Sequence, residues 1–201
     1  MSILRDLIRG MKEEEIIALL KKGDERVFRE LVDSTQMRVR SICLGIVRDR
    51  EDAGDIAQEV YVEVYRSVAR FRADAKLFTW IYRIAVNKSL NHVRSKQRHK
   101  WLLPLEKLKG TRQEAEGAGT SASFPSAKLE EKQRKQRLHE AIDALPENQK
   151  KAFILSRIED FSTREVAEIM VTTIPGVESL LQRARMNLQK KLWSCYKRGC
   201  L

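Results

Sequence analysis

Apolar residues recur at steps of three and four along most of the chain, which is the spacing of a buried helical stripe. The longest stripe begins after Asp24: Phe28, Leu31, Val32, Thr35, Val39, Ile42, Cys43 and Ile46. Further stripes predict an earlier helix before Gly23, a third helix over roughly Glu51–Arg70 and a fourth over roughly Phe78–Lys96. No alternating strand pattern competes with them. The sequence therefore predicts an all-α fold.

The helical period disappears between Gly110 and Ala127, where the chain is rich in Gly, Ser, Ala and Thr. This composition is typical of a linker. From about Lys128 the pattern is helical again. We therefore predict two small helical domains, residues 1–99 and 128–201, joined by a flexible linker at residues 100–127.

A helix-turn-helix is predicted near the C-terminus. Ser162 and Glu165 have the S-x-x-E spacing of a capping box, which marks a helix start. Thr173 can cap a second helix, in whose first turn Pro175 is tolerated. The buried stripe of that helix is predicted to be Val177, Leu181, Ala184 and Leu188. Because Val171 stands where a turn glycine is common, an ordinary helical hairpin packed on protein is the alternative.

The opposite face of the second helix carries side chains able to read DNA. Ser179 and Gln182 can hydrogen-bond base edges, Arg183 can bind a guanine or a phosphate, and Glu178 can accept from cytosine. Arg185 is placed to neutralise phosphates. This arrangement predicts modest base reading with strong backbone attraction.

The net charge of +11 and the pI near 9.7 favour an anionic partner, of which nucleic acid is the usual one. A generally basic surface is the alternative. The charge is also segregated, because Asp49–Glu63 holds six acidic residues whereas Arg83–Lys100 and Arg183–Arg198 each hold six bases and no acid. Segregation of this kind indicates more than one partner surface.

Two sets of residues, one acidic on the third helix and one aromatic at the start of the fourth, are not accounted for by binding of duplex DNA. The third helix has an acidic stripe opposite its apolar one: Asp52, Asp55, Glu59 and Glu63, with Gln58 beside them. The stripe is either a solvated face or a surface for a basic protein partner. Aromatic residues precede and begin the basic fourth helix: Phe71, Phe78, Trp80 and Tyr82. They predict stacking on unpaired bases, although at least half of them are expected to be core anchors.

Three stretches carry a family resemblance: "REDAGDIAQEVYVEVYRSVARF", "LFTWIYRIAVNKSLNHVR" and "LPENQKKAFILSRIEDFSTREVAEIM". They resemble the sigma-70 superfamily of bacterial RNA polymerase initiation factors, and the two-domain length is similar to that of the extracytoplasmic-function (ECF) group. The resemblance covers roughly residues 19–98 and 138–192. It implies a subunit that gives RNA polymerase promoter specificity and helps to melt DNA.

The resemblance also implies roles for particular residues. The polymerase clamp would be bound by Asp52, Asp55, Gln58 and Glu59. The −10 promoter element would be contacted by Arg72, Lys76, Trp80, Arg83, Asn87, Asn91 and Arg94. The −35 element would be read by Thr173, Glu178, Ser179, Gln182, Arg183 and Arg185. The family pattern G-T-V-K-S-R-L is here "PGVESLL", so individual base contacts are not carried over.

Other classes of protein are not supported by the sequence. The N-terminus is too charged for a signal peptide, and no apolar run approaches a membrane span. The three cysteines and three histidines have no metal-ligand spacing, and no P-loop is present. We therefore expect a cytoplasmic, non-enzymatic protein with no cofactor, no metal and no small-molecule substrate. Its expected partners are core RNA polymerase, promoter DNA and an anti-sigma protein. The alternative function is a free-standing helix-turn-helix regulator.

Overall fold

A computed structural model describes residues 10–102, 134 and 136–197. Its helices, in chain order, are α1 Glu13–Lys21, α2 Glu25–Val47, α3 Arg50–Ser67, α4 Leu77–Leu102, α5 136–143, α6 Glu147–Arg157, α7 Thr163–Met170 and α8 Ile174–Lys197, and a 3₁₀ turn, Val68–Arg70, follows α3. No strand occurs among the described residues, and the all-α prediction is confirmed. Helix α4 continues past its predicted end near Lys96, and most of the predicted linker lies outside the described residues.

The first domain is built from α1 to α4. Asp24 and Asp49 cap the starts of α2 and α3 by accepting from backbone N–H groups within the first turn. Its core contains large side chains that are essentially inaccessible to solvent: Leu31, Ile42, Val60, Leu77 and Ile81. Cys43 is fully buried in the same core, which confirms its predicted place on the apolar stripe.

The second domain is built from α5 to α8. Its predicted stripe, Val177, Leu181, Ala184 and Leu188, is buried as expected. Val177 and Leu181 join a core with Ile154, Leu155 and Val166, whereas Ala184 and Leu188 pack with Ala141 and Ile142. The face of α8 opposite this stripe is therefore turned outwards.

The two domains also pack against each other, which the sequence does not predict. Helix α2 contacts α6, and α4 contacts α7. The main hydrophobic cluster is continuous across this interface, because Ile154 and Phe161 belong to the same cluster as Ile42 and Ile81. Within the described ranges, none of the helices is both long enough and apolar enough to cross a membrane.

Candidate nucleic-acid and polymerase interfaces

The helix-turn-helix begins with the predicted capping box. The Glu165 N–H donates to Ser162 Oγ over 3.3 Å, and the Ser162 N–H donates to Glu165 Oε2 over 2.8 Å. Helix α7 ends at Met170, and the residue that caps it, Val171, has a left-handed φ of 54°. A β-branched residue is strained there, since this conformation favours glycine. The backbone nevertheless closes the turn, because the Thr172 N–H donates to Ala167 O over 2.9 Å.

The start of α8 depends on a threonine and a glycine. The Gly176 N–H donates to Thr173 Oγ1 over 3.2 Å, which confirms Thr173 as the helix cap. A Cβ on Gly176 would lie 2.9 Å from Thr172 Oγ1 and 3.1 Å from Thr173 Oγ1. A side chain at residue 176 would therefore force the Thr172 hydroxyl to shift, and glycine avoids this contact at the start of α8.

The outward face of α8 has the predicted composition. Glu178, Gln182, Arg183 and Arg185 are exposed, and Ser179 is half-buried. Nη2 of Arg183 donates to Ser179 Oγ over 2.9 Å. This bond directs the guanidinium towards the N-terminal part of α8, the part of a recognition helix that approaches base edges. Ser179 and Arg183 thus form one unit rather than two independent contacts.

Helix α4 has two cationic faces with different surroundings. The first face meets the acidic stripe of α3. Lys96 Nζ lies 2.6 Å and His92 Nε2 lies 3.2 Å from Asp52 Oδ2, and Lys88 Nζ lies 3.4 Å from Glu59 Oε2. The hydrogen bond from Lys96 holds the pKa of Asp52 below its ordinary value. The charges of Lys88 and Lys96 are therefore partly neutralised within the first domain.

The second face of α4 carries four residues predicted to contact the −10 element: Arg83, Asn87, Asn91 and Arg94. Arg83 Nη2 donates to Glu168 O of α7 over 2.7 Å, and Arg94 Nη2 donates to Glu147 Oε1 of α6 over 2.6 Å. Asn87 and Asn91 are exposed. Both arginines of this face are thus occupied by the second domain.

Glu147 is an anion throughout the neutral range. Burial alone would raise the pKa of its carboxyl, but hydrogen bonds from Lys151 and Arg94 outweigh burial and leave the pKa below its ordinary value. It therefore binds Arg94 as a carboxylate, an acceptor that forms strong hydrogen bonds with a guanidinium group.

The aromatic residues before and in α4 serve mainly as packing groups. Phe71 is buried and its ring lies 4.9 Å from that of Trp80, at 40°. Trp80 is half-buried, and Tyr82 packs on Phe161 of the second domain with ring centroids 5.3 Å apart. This agrees with the expectation that at least half of the aromatics are core anchors. Arg72 and Lys76, in the loop before α4, are exposed.

The acidic stripe of α3 is only partly free. Asp55, Gln58 and Glu59 are exposed, whereas Asp52 is half-buried by its cationic partners. Among the described residues, Asp55 makes no ion pair or side-chain hydrogen bond. The exposed centre of the stripe is therefore Asp55 and Gln58, with Glu59 loosely held by Lys88.

The fold and these surfaces define a two-domain helical DNA-binding protein: one domain carries a helix-turn-helix, and the other presents an acidic stripe and a cationic helix face. Comparison with known proteins agrees. Residues 31–99 match the family model for sigma-70 region 2, and residues 135–188 match that for sigma-70 region 4.

Curated relatives align over almost the whole chain. It is 28% identical over 181 residues to the RNA polymerase sigma-H factor of Pseudomonas aeruginosa, covering 90% of this chain and 94% of that protein. It is 28% identical over 188 residues to the ECF RNA polymerase sigma-E factor of Escherichia coli K12, covering 94% and 98%. The chain belongs to the sigma-70 family, as a sigma factor of the ECF group. Its function is that of an alternative sigma factor in transcription initiation, and the free-standing regulator is not favoured.

Solved structures have the same fold. CnrH, in complex with the cytosolic domain of CnrY, aligns with a TM-score of 0.62 at 19% identity, over 90% of this chain and 97% of that one. The sigma factor RpoE of Bartonella quintana, in complex with the anti-sigma factor NepR, aligns with a TM-score of 0.56 at 20% identity, over 82% and 96%.

Proposed function

We propose that the exposed part of the acidic stripe holds core RNA polymerase. Asp55, Gln58 and Glu59 lie side by side on α3 with their side chains in solvent. Asp52 lies at the end of the stripe and is shared with Lys96, so it contributes less free charge. Complementary charge of this kind steers association and fixes the orientation of the bound partner.

Promoter DNA is bound at two places in this proposal. The exposed face of α8 reads the −35 element as duplex, with Glu178, Gln182 and the Ser179–Arg183 unit nearest the bases. Thr173 acts by capping that helix, and Arg185 contacts the phosphate backbone.

The −10 element is bound by the second cationic face of α4, Arg83, Asn87, Asn91 and Arg94. The nearby loop contributes Arg72 and Lys76, and the half-buried Trp80 stacks on a base. The observation that carries this assignment is the alignment of these four α4 side chains on one face. The opposite face is neutralised by α3.

The same proposal places the protein in the cytoplasm, where it acts as a binding subunit rather than as an enzyme. It also includes an anti-sigma protein as a regulator. RpoE of B. quintana, which has the same fold, forms a complex with an anti-sigma factor, and this supports an anti-sigma partner for the present chain. We propose the domain limits 1–99 and 128–201 for these two activities.

The polymerase assignment is tested by reversing two charges. The variant Asp55→Lys/Glu59→Lys should lose binding to core polymerase and lose transcription in a purified system, because it reverses the charge of the proposed contact surface. The fold should survive, because both side chains are exposed and the hydrophobic core of the domain is unchanged. Asp33→Lys on α2, also exposed, is the matched control and should retain both activities. Normal holoenzyme assembly by the double variant would exclude this surface.

A further inference from the structure

The short loop between the 3₁₀ turn and α4 carries two of the side chains proposed to contact the −10 element. We call residues 72–76 the −10 loop, and its first and last residues, Arg72 and Lys76, are exposed. The residues that flank the loop, Phe71 and Leu77, are both buried. The position of the exposed side chains is therefore set by the way in which these two buried ends are held.

The entry to the −10 loop is held by the 3₁₀ turn and by α1. The Phe71 N–H donates to Val68 O over 3.1 Å, and the Phe71 ring packs on Trp80. Helix α1 contacts the 3₁₀ turn from which the chain enters the loop. Three side chains anchor α1 in the core of the first domain: Ile16, Ile17 and Leu20. Helix α1 thus supports the loop at its first end.

The exit from the loop, at the start of α4, is capped from α1. The first N–H groups of a helix lack partners within it, and a Ser, Thr, Asp or Asn before the helix commonly supplies one. The residue before α4 is Lys76, whose ammonium group can only donate. The Leu77 N–H donates instead to Glu13 Oε1 over 2.6 Å, although Glu13 lies 64 positions earlier in the chain. Because Leu77 is buried, its N–H would be costly to leave without an acceptor.

The bond from Glu13 fixes a peptide that is shared with two proposed DNA contacts. Leu77 directly follows Lys76, and the Trp80 N–H donates to Lys76 O over 3.0 Å, closing the first turn of α4. A carboxylate is also favoured at this end of a helix by the helix dipole. Glu13 therefore sets the place where Lys76 leaves the helix and where Trp80 begins it.

The middle of the −10 loop needs external support. Ala73 has a φ of 58°, in the left-handed region that alanine rarely adopts. Such a conformation persists only where the surrounding structure imposes it. Ala73 itself is exposed, so the constraint comes from the two held ends of the loop.

We propose that Glu13 is a positioning residue for −10 recognition. Helix α1 braces the −10 loop at both ends, and Glu13 holds Lys76 and Trp80 in the DNA-binding geometry through the Leu77 N–H, without contacting DNA itself. The inference rests on the proposed −10 role of the loop and of Trp80. Without the bond, only a fraction of molecules keeps this geometry, and the apparent Kd is the intrinsic Kd divided by that fraction.

Three variants separate the hydrogen bond from the charge. Glu13→Ala removes the acceptor, whereas Glu13→Gln removes the charge and keeps an oxygen that can accept from Leu77. Glu14→Ala is the matched control, because Glu14 is the next residue on α1, is exposed and carries the same charge. Circular dichroism verifies that the helices persist in each variant.

Binding is measured on holoenzyme assembled from each variant and core RNA polymerase. The probe is a labelled single-stranded oligonucleotide that the wild-type holoenzyme selects from a random pool. Glu13→Ala should bind it about fivefold more weakly, the factor that corresponds to a lost helix cap. Glu13→Gln and Glu14→Ala should bind it as the wild type does, and assembly with core polymerase should not change. Wild-type affinity in Glu13→Ala, or an equal loss in Glu14→Ala, would overturn the inference.

The hydrogen bond itself is measured by amide exchange in nuclear magnetic resonance spectra of the free protein. The Leu77 amide should exchange faster in Glu13→Ala and should regain protection in Glu13→Gln. The Val27 amide, which donates to Asp24 at the start of α2, is the internal control and should not change. An unchanged Leu77 amide in Glu13→Ala would overturn the inference, whatever the DNA result.

The −10 role of the loop is tested separately with Arg72→Ala/Lys76→Ala. If this loop variant binds the oligonucleotide normally, the −10 role of the loop is wrong and the positioning role falls with it. If the loop variant binds weakly and Glu13→Ala does not, only the positioning role is overturned.

Combining the substitutions distinguishes action through the loop from an independent effect on the fold. Adding Glu13→Ala to the loop variant should weaken binding by less than the product of the two separate factors, because both changes act on the same contacts. Losses that multiply in full would show that Glu13 acts independently of the loop, and would overturn the inference.

Discussion

Arg183 on the exposed face of α8 provides the sharpest test of −35 reading. Its guanidinium is held by Ser179 Oγ at 2.9 Å, so it is directed before DNA arrives and loses little side-chain freedom on binding. A well-placed bidentate interaction with guanine is worth about 1–3 kcal/mol. At about 1.4 kcal/mol per tenfold, Arg183→Ala should weaken binding to the preferred duplex by about 5- to 150-fold.

The salt dependence separates base reading from phosphate attraction. Removing one cation that neutralises a phosphate should reduce the slope of log K against log salt by about 0.9. Arg183→Ala should reduce the preference for the selected duplex over a scrambled one. Arg185→Ala, its exposed neighbour, should instead weaken both duplexes equally and lower the slope. Anisotropy titrations at several salt concentrations measure all of these quantities.

If Arg183→Ala keeps both the wild-type affinity for duplex DNA and the preference for the selected duplex, Arg183 does not read the −35 element. Because the side chain is exposed and lies opposite the buried stripe, the substitution leaves the fold intact. A loss of binding could therefore not be attributed to unfolding, and calorimetry of the variant would verify this.

Two further substitutions test stability. Ser162→Ala removes the capping box with Glu165 and should lower the free energy of unfolding by about 1 kcal/mol. In calorimetry, this loss would lower the Tm of the second domain by about 4–8 °C. An unchanged Tm would contradict the role of the cap. Asp52→Asn removes the carboxylate that pairs with Lys96. The hydrogen bond from Lys96 lowers the pKa of Asp52 below its ordinary value of 3.8. The stabilisation that this pair gives the folded state is therefore present above pH 3.8 and is lost as the pH falls through the lowered pKa. Urea unfolding should therefore show the variant less stable at pH 7, and a gap that does not narrow in acid would contradict this account.

The helices and the recognition face could be predicted because their signals are local. The stripe of α8 repeats within a few turns, and the Ser162–Glu165 box lies within one turn. Such patterns fix which side of a helix is buried without reference to the rest of the chain. Thr173 is identified in the same way, from its place before the first turn of α8.

The packing of the two domains against each other could not be predicted, because it joins residues that are distant in the chain. Glu159 lies in a charged stretch beside Asp160, yet it is buried against Ser41, 118 residues away. Nothing in its own neighbourhood distinguishes it from a solvated acid. Gly45 is similar: inside a helical stripe it appears only as a weak helix former, and its purpose is visible only where Ile154 approaches.

The two faces of α4 show why counting charges overestimates the DNA surface. The sequence shows six bases and no acid over Arg83–Lys100, but Lys88 and Lys96 are paired with acids of α3. These pairs lie across the helix from Arg83 and Arg94, so the acidic stripe both stabilises the domain and concentrates the remaining charge on one face. A charged side chain is available to a binding partner only where the fold has not already paired it with an opposite charge. On the other face of α4, Arg83 and Arg94 are held by Glu168 O and by the Glu147 carboxylate of the second domain, so the position of the second domain decides how much of this charge a partner can reach.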